Sequence, residues 1–125
     1  MDVLSIGVDI EDLDVWERLV SDNRWRWFVP LFTADEVAYC QGRQLPAVSF
    51  AGLFAAKEAV VKALWTTLEL TVQQIVIWHN DGRPVVRVTH PAFQQWVCDV
   101  SITHSRLCAV GVCLACHGAA QEVSE

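Results

Sequence analysis

The chain has 125 residues, 53% of them hydrophobic, and a net charge of −6 with only nine Lys and Arg residues. This length fits one compact domain with a real core, and the lack of a basic stripe argues against nucleic-acid binding. No apolar stretch is long enough to span a membrane and the N-terminus has no basic signal region, so we expect a cytoplasmic protein.

The first half of the chain predicts a strand followed by helices. Residues 3–8 form a short apolar run that ends at Asp9. Apolar residues then recur at helical spacing from near Asp12, where acidic residues suit the positive end of a helix dipole. Thr33 and Glu36 have the spacing of a capping box and predict a second helix. Ser49 is the predicted cap of a third and longest helix over residues 50–68.

The second half predicts β structure. Residues 72–78 and 84–89 are apolar runs on either side of a strong turn signal, Asn80-Asp81-Gly82. A short helical segment near residues 93–97 precedes two further strands, 99–103 and 107–115. We expect an α+β fold, with the long helix packed on a mostly antiparallel sheet, in one domain over residues 1–117 and a tail over 118–125.

Two acidic residues are the candidates for chemistry. Asp9 ends the first strand, and Glu58 lies in the middle of the long helix, four residues before Lys62. Two carboxylates could hold Mg²⁺ and leave positions open for phosphate, while a lysine could neutralise charge on that phosphate. The alternative is that Glu58 and Lys62 form an ordinary surface pair worth about 0.3–0.5 kcal/mol.

Four segments of the chain carry a family resemblance. They are IGVDI (6–10), FAAKEA (54–59) with KAL (62–64), NDGRP (80–84) and VSITHS (100–105). Their order and spacing resemble those of the holo-acyl-carrier-protein synthases, which are 4′-phosphopantetheinyl transferases, and the resemblance reaches to about Ala115.

This resemblance implies an enzyme with the 4′-phosphopantetheinyl transferase fold. Asp9 and Glu58 would bind Mg²⁺, and Lys62, His104 and Thr66 would contact coenzyme A. A serine of an acyl or peptidyl carrier protein would attack the diphosphate of coenzyme A, giving the loaded carrier and 3′,5′-ADP. The serine proton would pass to a water on the metal or to Glu58. Members of the family are usually homotrimers with the active site between subunits, so Asp9 and Glu58 could come from different chains.

Three positions depart from the family pattern. Leu53 replaces a usual arginine, Trp65-Thr66-Thr67 replaces a Gly-Thr-Gly turn, and the first helix is acidic at Asp12 and Asp14 where the family has basic residues. Glycine lets backbone N–H groups approach a phosphate closely. These departures leave open an alternative: a repurposed homologue that binds a carrier protein, or an intermediate bound to one, without efficient transfer.

Other motifs have simpler interpretations. Cys113-Leu-Ala-Cys-His117 matches the c-type haem attachment pattern, or half of a zinc site that Cys108 or His104 would complete, but we expect free thiols for all five cysteines. His79 and His90 are predicted to be surface residues. Residues 25–28 (WRWF) are either an aromatic and basic contact patch or core packing, and we favour the core.

Overall fold

The computed structural model describes residues 3–22 and 29–118. The predicted patch at 25–28 and the tail beyond Gly118 lie outside the described residues. The helices and strands are β1 (Val3–Asp12), α1 (Leu13–Ser21), α2 (Ala34–Gln41), α3 (Pro46–Ala63), β2 (Ile75–Asn80), β3 (Arg83–Val88), β4 (Trp96–His104) and β5 (Cys108–His117). Single 3₁₀ turns cover Val29–Leu31, Val72–Gln74 and Pro91–Gln95.

The described strands form two antiparallel units. β5 lies between β1 and β4 in a three-stranded sheet, and β2 and β3 form a separate hairpin. In the sheet, Gly111 of β5 pairs with Asp9 on one side and with Ile102 on the other. The hairpin turns at Asp81 and Gly82, both with positive φ, as the Asn-Asp-Gly signal predicts. The predicted α+β class is therefore confirmed.

Helix α3 crosses the sheet diagonally over small residues. Gly111 of β5 lies against the backbone of Ala55, and Gly7 of β1 lies against the backbone of Ala59, so close that a Cβ on Gly7 would come within 2.0 Å of the Ala59 oxygen. Ser5 Oγ donates a hydrogen bond to the oxygen of Ala63 near the end of the helix. The close approach places the last two turns of α3 beside β1.

The bounds and burial of α3 differ from the prediction. The helix begins at Pro46, whose fixed φ suits the first helical position, and Ser49 is an internal residue rather than the cap. It ends at Ala63 instead of residue 68, because the chain turns over residues 64–67. The helix is also buried on most of its circumference, since α1, α2 and the sheet all pack against it.

The shorter elements agree with their local signals more closely. Asp12 caps α1 by accepting a hydrogen bond from the Asp14 N–H, and Thr33 and Glu36 form the predicted capping box of α2. β1 extends four residues past the predicted end, and the strand predicted from residue 72 begins at Ile75 after a 3₁₀ turn. None of the described helices is both long and apolar enough to cross a bilayer.

Candidate active site

The structure brings Asp9, Glu58 and Lys62 together on one chain. Lys62 Nζ lies 3.1 Å from Asp9 Oδ1 and donates a second hydrogen bond to the oxygen of Val8. Glu58 precedes Lys62 by one turn on the same face of α3. The proximity of Glu58 to Asp9 follows from the diagonal crossing, which places this part of α3 over β1. The ion pair of Lys62 is with Asp9 rather than Glu58, so the surface-pair alternative is wrong.

The Asp9 carboxylate is only half satisfied. Its side chain is 13% exposed, and its Oδ2 atom is buried without a hydrogen-bond partner. A buried carboxylate oxygen that lacks a donor is costly unless a cation or a proton meets it. This oxygen therefore fits a site for a cation, with Glu58 as the second carboxylate.

The electrostatics of the pair favour a positive ligand. Burial raises the pKa of Glu58, the Asp9 charge raises it further, and Lys62 opposes the shift. Among the residues that the structure describes, no three His, Cys, Asp or Glu side chains converge as a metal cluster. A cation between Asp9 and Glu58 would thus take its other ligands from water and phosphate, which is the usual arrangement for Mg²⁺.

Glu11 is a neighbour of the site that the sequence analysis did not single out. Burial raises the pKa of Glu11 to about 7. The nearby Asp9 carboxylate adds to the rise, because it favours the protonated form of Glu11, while the hydrogen bond from Trp16 opposes it. Trp16 Nε1 donates to Glu11 Oε1 at 2.9 Å. The signal was present in the sequence, because residues two apart on a strand share a face.

His104 lies apart from this cluster, whereas Thr66 closely follows Lys62 in the chain. His104 ends β4 and pairs with Ala109, which in turn pairs with Glu11, so two strand spacings, about 10 Å, separate His104 from β1. It lines a cavity of about 740 Å³ on the β4 side of the molecule. Thr66 is exposed in the turn after α3, four residues after Lys62.

One wall of the cavity is a stack of rings. The rings of Tyr39 and His79 are parallel to within 6° with centroids 4.2 Å apart, and the Arg43 guanidinium lies 5.4 Å from the Tyr39 centroid. Burial lowers the pKa of His79, and the charge of Arg43 lowers it further. His79 is therefore half-buried and partnered rather than a free surface residue as predicted. No sequence signal linked it to Tyr39, because the two lie on different elements.

The cysteines do not form the rival sites. All five are free thiols, as predicted. Cys113 is buried on the face of β5 that meets α3, whereas Cys116, an odd number of residues later, points to the other face. Their sulfur atoms therefore cannot both attach one haem or bind one zinc ion.

Comparisons with known proteins agree with the fold. A family model described as the 4′-phosphopantetheinyl transferase superfamily matches residues 5–113. The holo-[acyl-carrier-protein] synthase of Chlorobium limicola is 38% identical over 122 residues, covering 89% of this chain and 92% of that protein. That of Chlorobium phaeovibrioides is 40% identical over 118 residues, covering 89% and 93%.

Solved structures that share this fold are also holo-[acyl-carrier-protein] synthases. The holo-[acyl-carrier-protein] synthase of Helicobacter pylori in complex with coenzyme A has a TM-score of 0.73 at 25% identity and covers 86% of this chain and 96% of its own. The synthase of Bacillus anthracis, in complex with CoA (3′,5′-ADP), has a TM-score of 0.78 at 25% identity, with coverage of 94% and 100%.

The fold and the family match define a phosphopantetheinyl transferase. The chain belongs to the 4′-phosphopantetheinyl transferase superfamily, and the relatives that it matches over most of its length are holo-[acyl-carrier-protein] synthases. The resemblance recognised in the sequence and the enzyme class that it implied are both confirmed.

Proposed function

We propose that this enzyme transfers 4′-phosphopantetheine from coenzyme A to a serine of an acyl or peptidyl carrier protein, with Mg²⁺ bound by Asp9 and Glu58. The observation that carries this proposal is the buried, donor-free Oδ2 of Asp9 beside Lys62 and Glu58. Relatives solved with coenzyme A or with CoA (3′,5′-ADP) support coenzyme A as the substrate.

The reaction replaces the phosphoanhydride bond of the coenzyme A diphosphate by a phosphodiester bond to serine. The serine oxygen forms a bond to the phosphorus that carries pantetheine, the bond from that phosphorus to the bridging diphosphate oxygen breaks, and 3′,5′-ADP leaves with the electron pair. The serine proton passes to a base, for which the Glu58 carboxylate is the candidate. Bound Mg²⁺ would supply Lewis-acid stabilisation of the diphosphate charge.

Lys62 has a clear part in this scheme. Its ammonium is held against β1 by Asp9 and the Val8 oxygen, yet its side chain is 50% exposed. It can therefore meet an incoming diphosphate without leaving its anchor. A fixed cation at the point where negative charge develops is an effective form of electrostatic catalysis.

We also propose a homotrimer with the site between subunits. The sheet face turned away from α3 is apolar and uncovered in one chain; its side chains of Leu4, Ile6, Val8, Ile10, Val97 and Leu114 are 47% to 69% exposed. Such a face needs a cover, and a second copy of the chain supplies one. His104, which is remote from Lys62 within one chain, would then reach coenzyme A bound at a neighbouring site.

A second candidate is a homologue that binds carrier proteins without efficient transfer. Leu53 is 1% exposed and lines the cavity with an apolar side chain where the family usually has an arginine. Trp65 is 72% exposed in the turn that usually carries glycine. Both features remove donors that would hold phosphate.

One experiment separates the two candidates. The protein is incubated with coenzyme A, Mg²⁺ and an apo-carrier protein, and the molecular mass of the carrier protein is measured by intact mass spectrometry. Transfer adds the mass of phosphopantetheine to the carrier and releases 3′,5′-ADP. A carrier protein that binds the enzyme but remains unmodified would favour the second candidate.

A further inference from the structure

A buried ion pair lies behind the wall of the large cavity. Lys57 Nζ lies 2.6 Å from Glu36 Oε1, and the two side chains are 1% and 2% exposed. Lys57 also donates to the oxygen of Leu31 at 2.8 Å. Glu36 accepts from the N–H of Thr33 at 2.8 Å and from the N–H of Ile77 at 2.7 Å. The pair thus joins α2, α3 and β2 at one point.

Stability alone is a weak reason for such a pair. Removing two charges from water costs several kcal/mol per ion, and apolar residues of similar volume often give equal or greater stability. Apolar residues, however, make no directional hydrogen bonds that could fix one element relative to another. The Glu36 carboxylate fixes the position of Ile77 on β2 relative to α2, and Lys57 fixes both relative to α3.

The elements that this pair fixes are the ones that carry the ring stack. Tyr39 follows Glu36 by one turn of α2, and His79 follows Ile77 by two residues on the same face of β2. We infer that Glu36 and Lys57 are positioning residues, which hold Tyr39 against His79 and so set the shape of the cavity wall. The part of this inference that concerns coenzyme A rests on the proposed function.

The test uses a charge-free variant, Glu36→Gln with Lys57→Met, which keeps the side-chain volumes and one oxygen acceptor. Three quantities are measured: thermal stability, the pKa of His79 by NMR, and the dissociation constant for coenzyme A by calorimetry. Val60→Ala is the matched control, since it removes buried volume from the same helix without touching a hydrogen bond.

The pKa of the wild-type His79 should lie below the ordinary value of about 6.5, because its ring is half-buried in the stack and lies near the charge of Arg43. In the folded double variant we expect this pKa to return toward the ordinary value and the affinity for coenzyme A to fall at least tenfold. Val60→Ala should change neither, even at an equal loss of stability.

Wild-type values of both quantities in the folded double variant would overturn the inference. If the double variant does not fold, the single Glu36→Gln variant should show the same directions with smaller changes, and no change there would also overturn it. If the wild type itself does not bind coenzyme A, the proposed function fails, while the His79 titration still decides the positioning role.

Discussion

Asp9 combines two environments in one carboxylate. Oδ1 accepts from Lys62 at 3.1 Å, while Oδ2 is buried and lacks a donor. A side chain optimised for stability alone would not leave one oxygen in this state, because an unsatisfied buried polar atom costs roughly 1–3 kcal/mol. The residue is therefore suited to bind a ligand and contributes little to the fold.

The Asp9→Asn substitution tests this assignment. We expect Mg²⁺-dependent transfer to fall by about 100-fold or more, because the charge that holds the cation is lost. The free energy of unfolding should change by less than about 1 kcal/mol, because the partner Lys62 is half-exposed. Initial rates and urea unfolding measure the two effects. Asp35→Asn, at an exposed position of α2, is the control; equal rates in both variants would refute the metal site.

The departures from the family pattern predict weak binding of coenzyme A. The double variant Leu53→Arg with Trp65→Gly should gain at least tenfold in affinity, about 1.4 kcal/mol, since a guanidinium can extend into the cavity that Leu53 lines. Titration calorimetry with coenzyme A and Mg²⁺ gives the constants. Leu45→Arg adds the same charge at an exposed point of the cavity and should have a smaller effect. Tight wild-type binding with no gain would mean that other residues replace the missing contacts.

At the scale of elements, the glycines under α3 decide the geometry of the site. Gly7 allows the helix backbone to approach β1, and this approach places Lys62 against Asp9. The Gly7→Ala substitution should cost about 1–3 kcal/mol of stability, because its Cβ would meet backbone atoms rather than a flexible side chain. It should also lower transfer activity, since the helix must move away from Asp9.

Urea unfolding and initial rates measure both consequences of Gly7→Ala. Gly42→Ala is the matched control, because Gly42 has an ordinary helical φ of −82° at the end of α2 and a Cβ there would lie 3.3 Å from its nearest neighbour. If both variants had the same stability and activity, the close approach of α3 would not matter for the site.

At the scale of the whole molecule, the outer face of the sheet predicts assembly. Light scattering of the wild type at micromolar concentration should give three copies of the 14.0 kDa chain. Ile6→Glu, in the middle of this face at 69% exposure, should give monomers and lower activity together, because a buried charge opposes association. Leu107→Glu, at 76% exposure on the tip between β4 and β5, should leave the mass unchanged. A monomeric wild type would refute the shared-site proposal.

Local signals in the sequence were sufficient for much of the fold. The capping box at Thr33, the Asn-Asp-Gly turn and the acidic start of α1 each depend on contacts within a few residues, so the sequence alone determines them. The sequence alone also displays the motifs by which the family was identified, since Asp9, Glu58 and Lys62 each lie in one of the short quoted segments. The start of α3 was predicted wrongly because Ser49 offered a plausible cap, while the chain used Pro46.

Only the tertiary structure decided which of these residues meet. Lys62 could have paired with Glu58 on its own helix, and the diagonal crossing of α3 over Gly111 and Gly7 directed it to Asp9 instead. The Lys57–Glu36 pair and the Tyr39–His79 stack each join elements that are far apart in the chain. Their formation depends on how the helices and strands pack, and a one-dimensional pattern of polar and apolar residues does not contain that distance information.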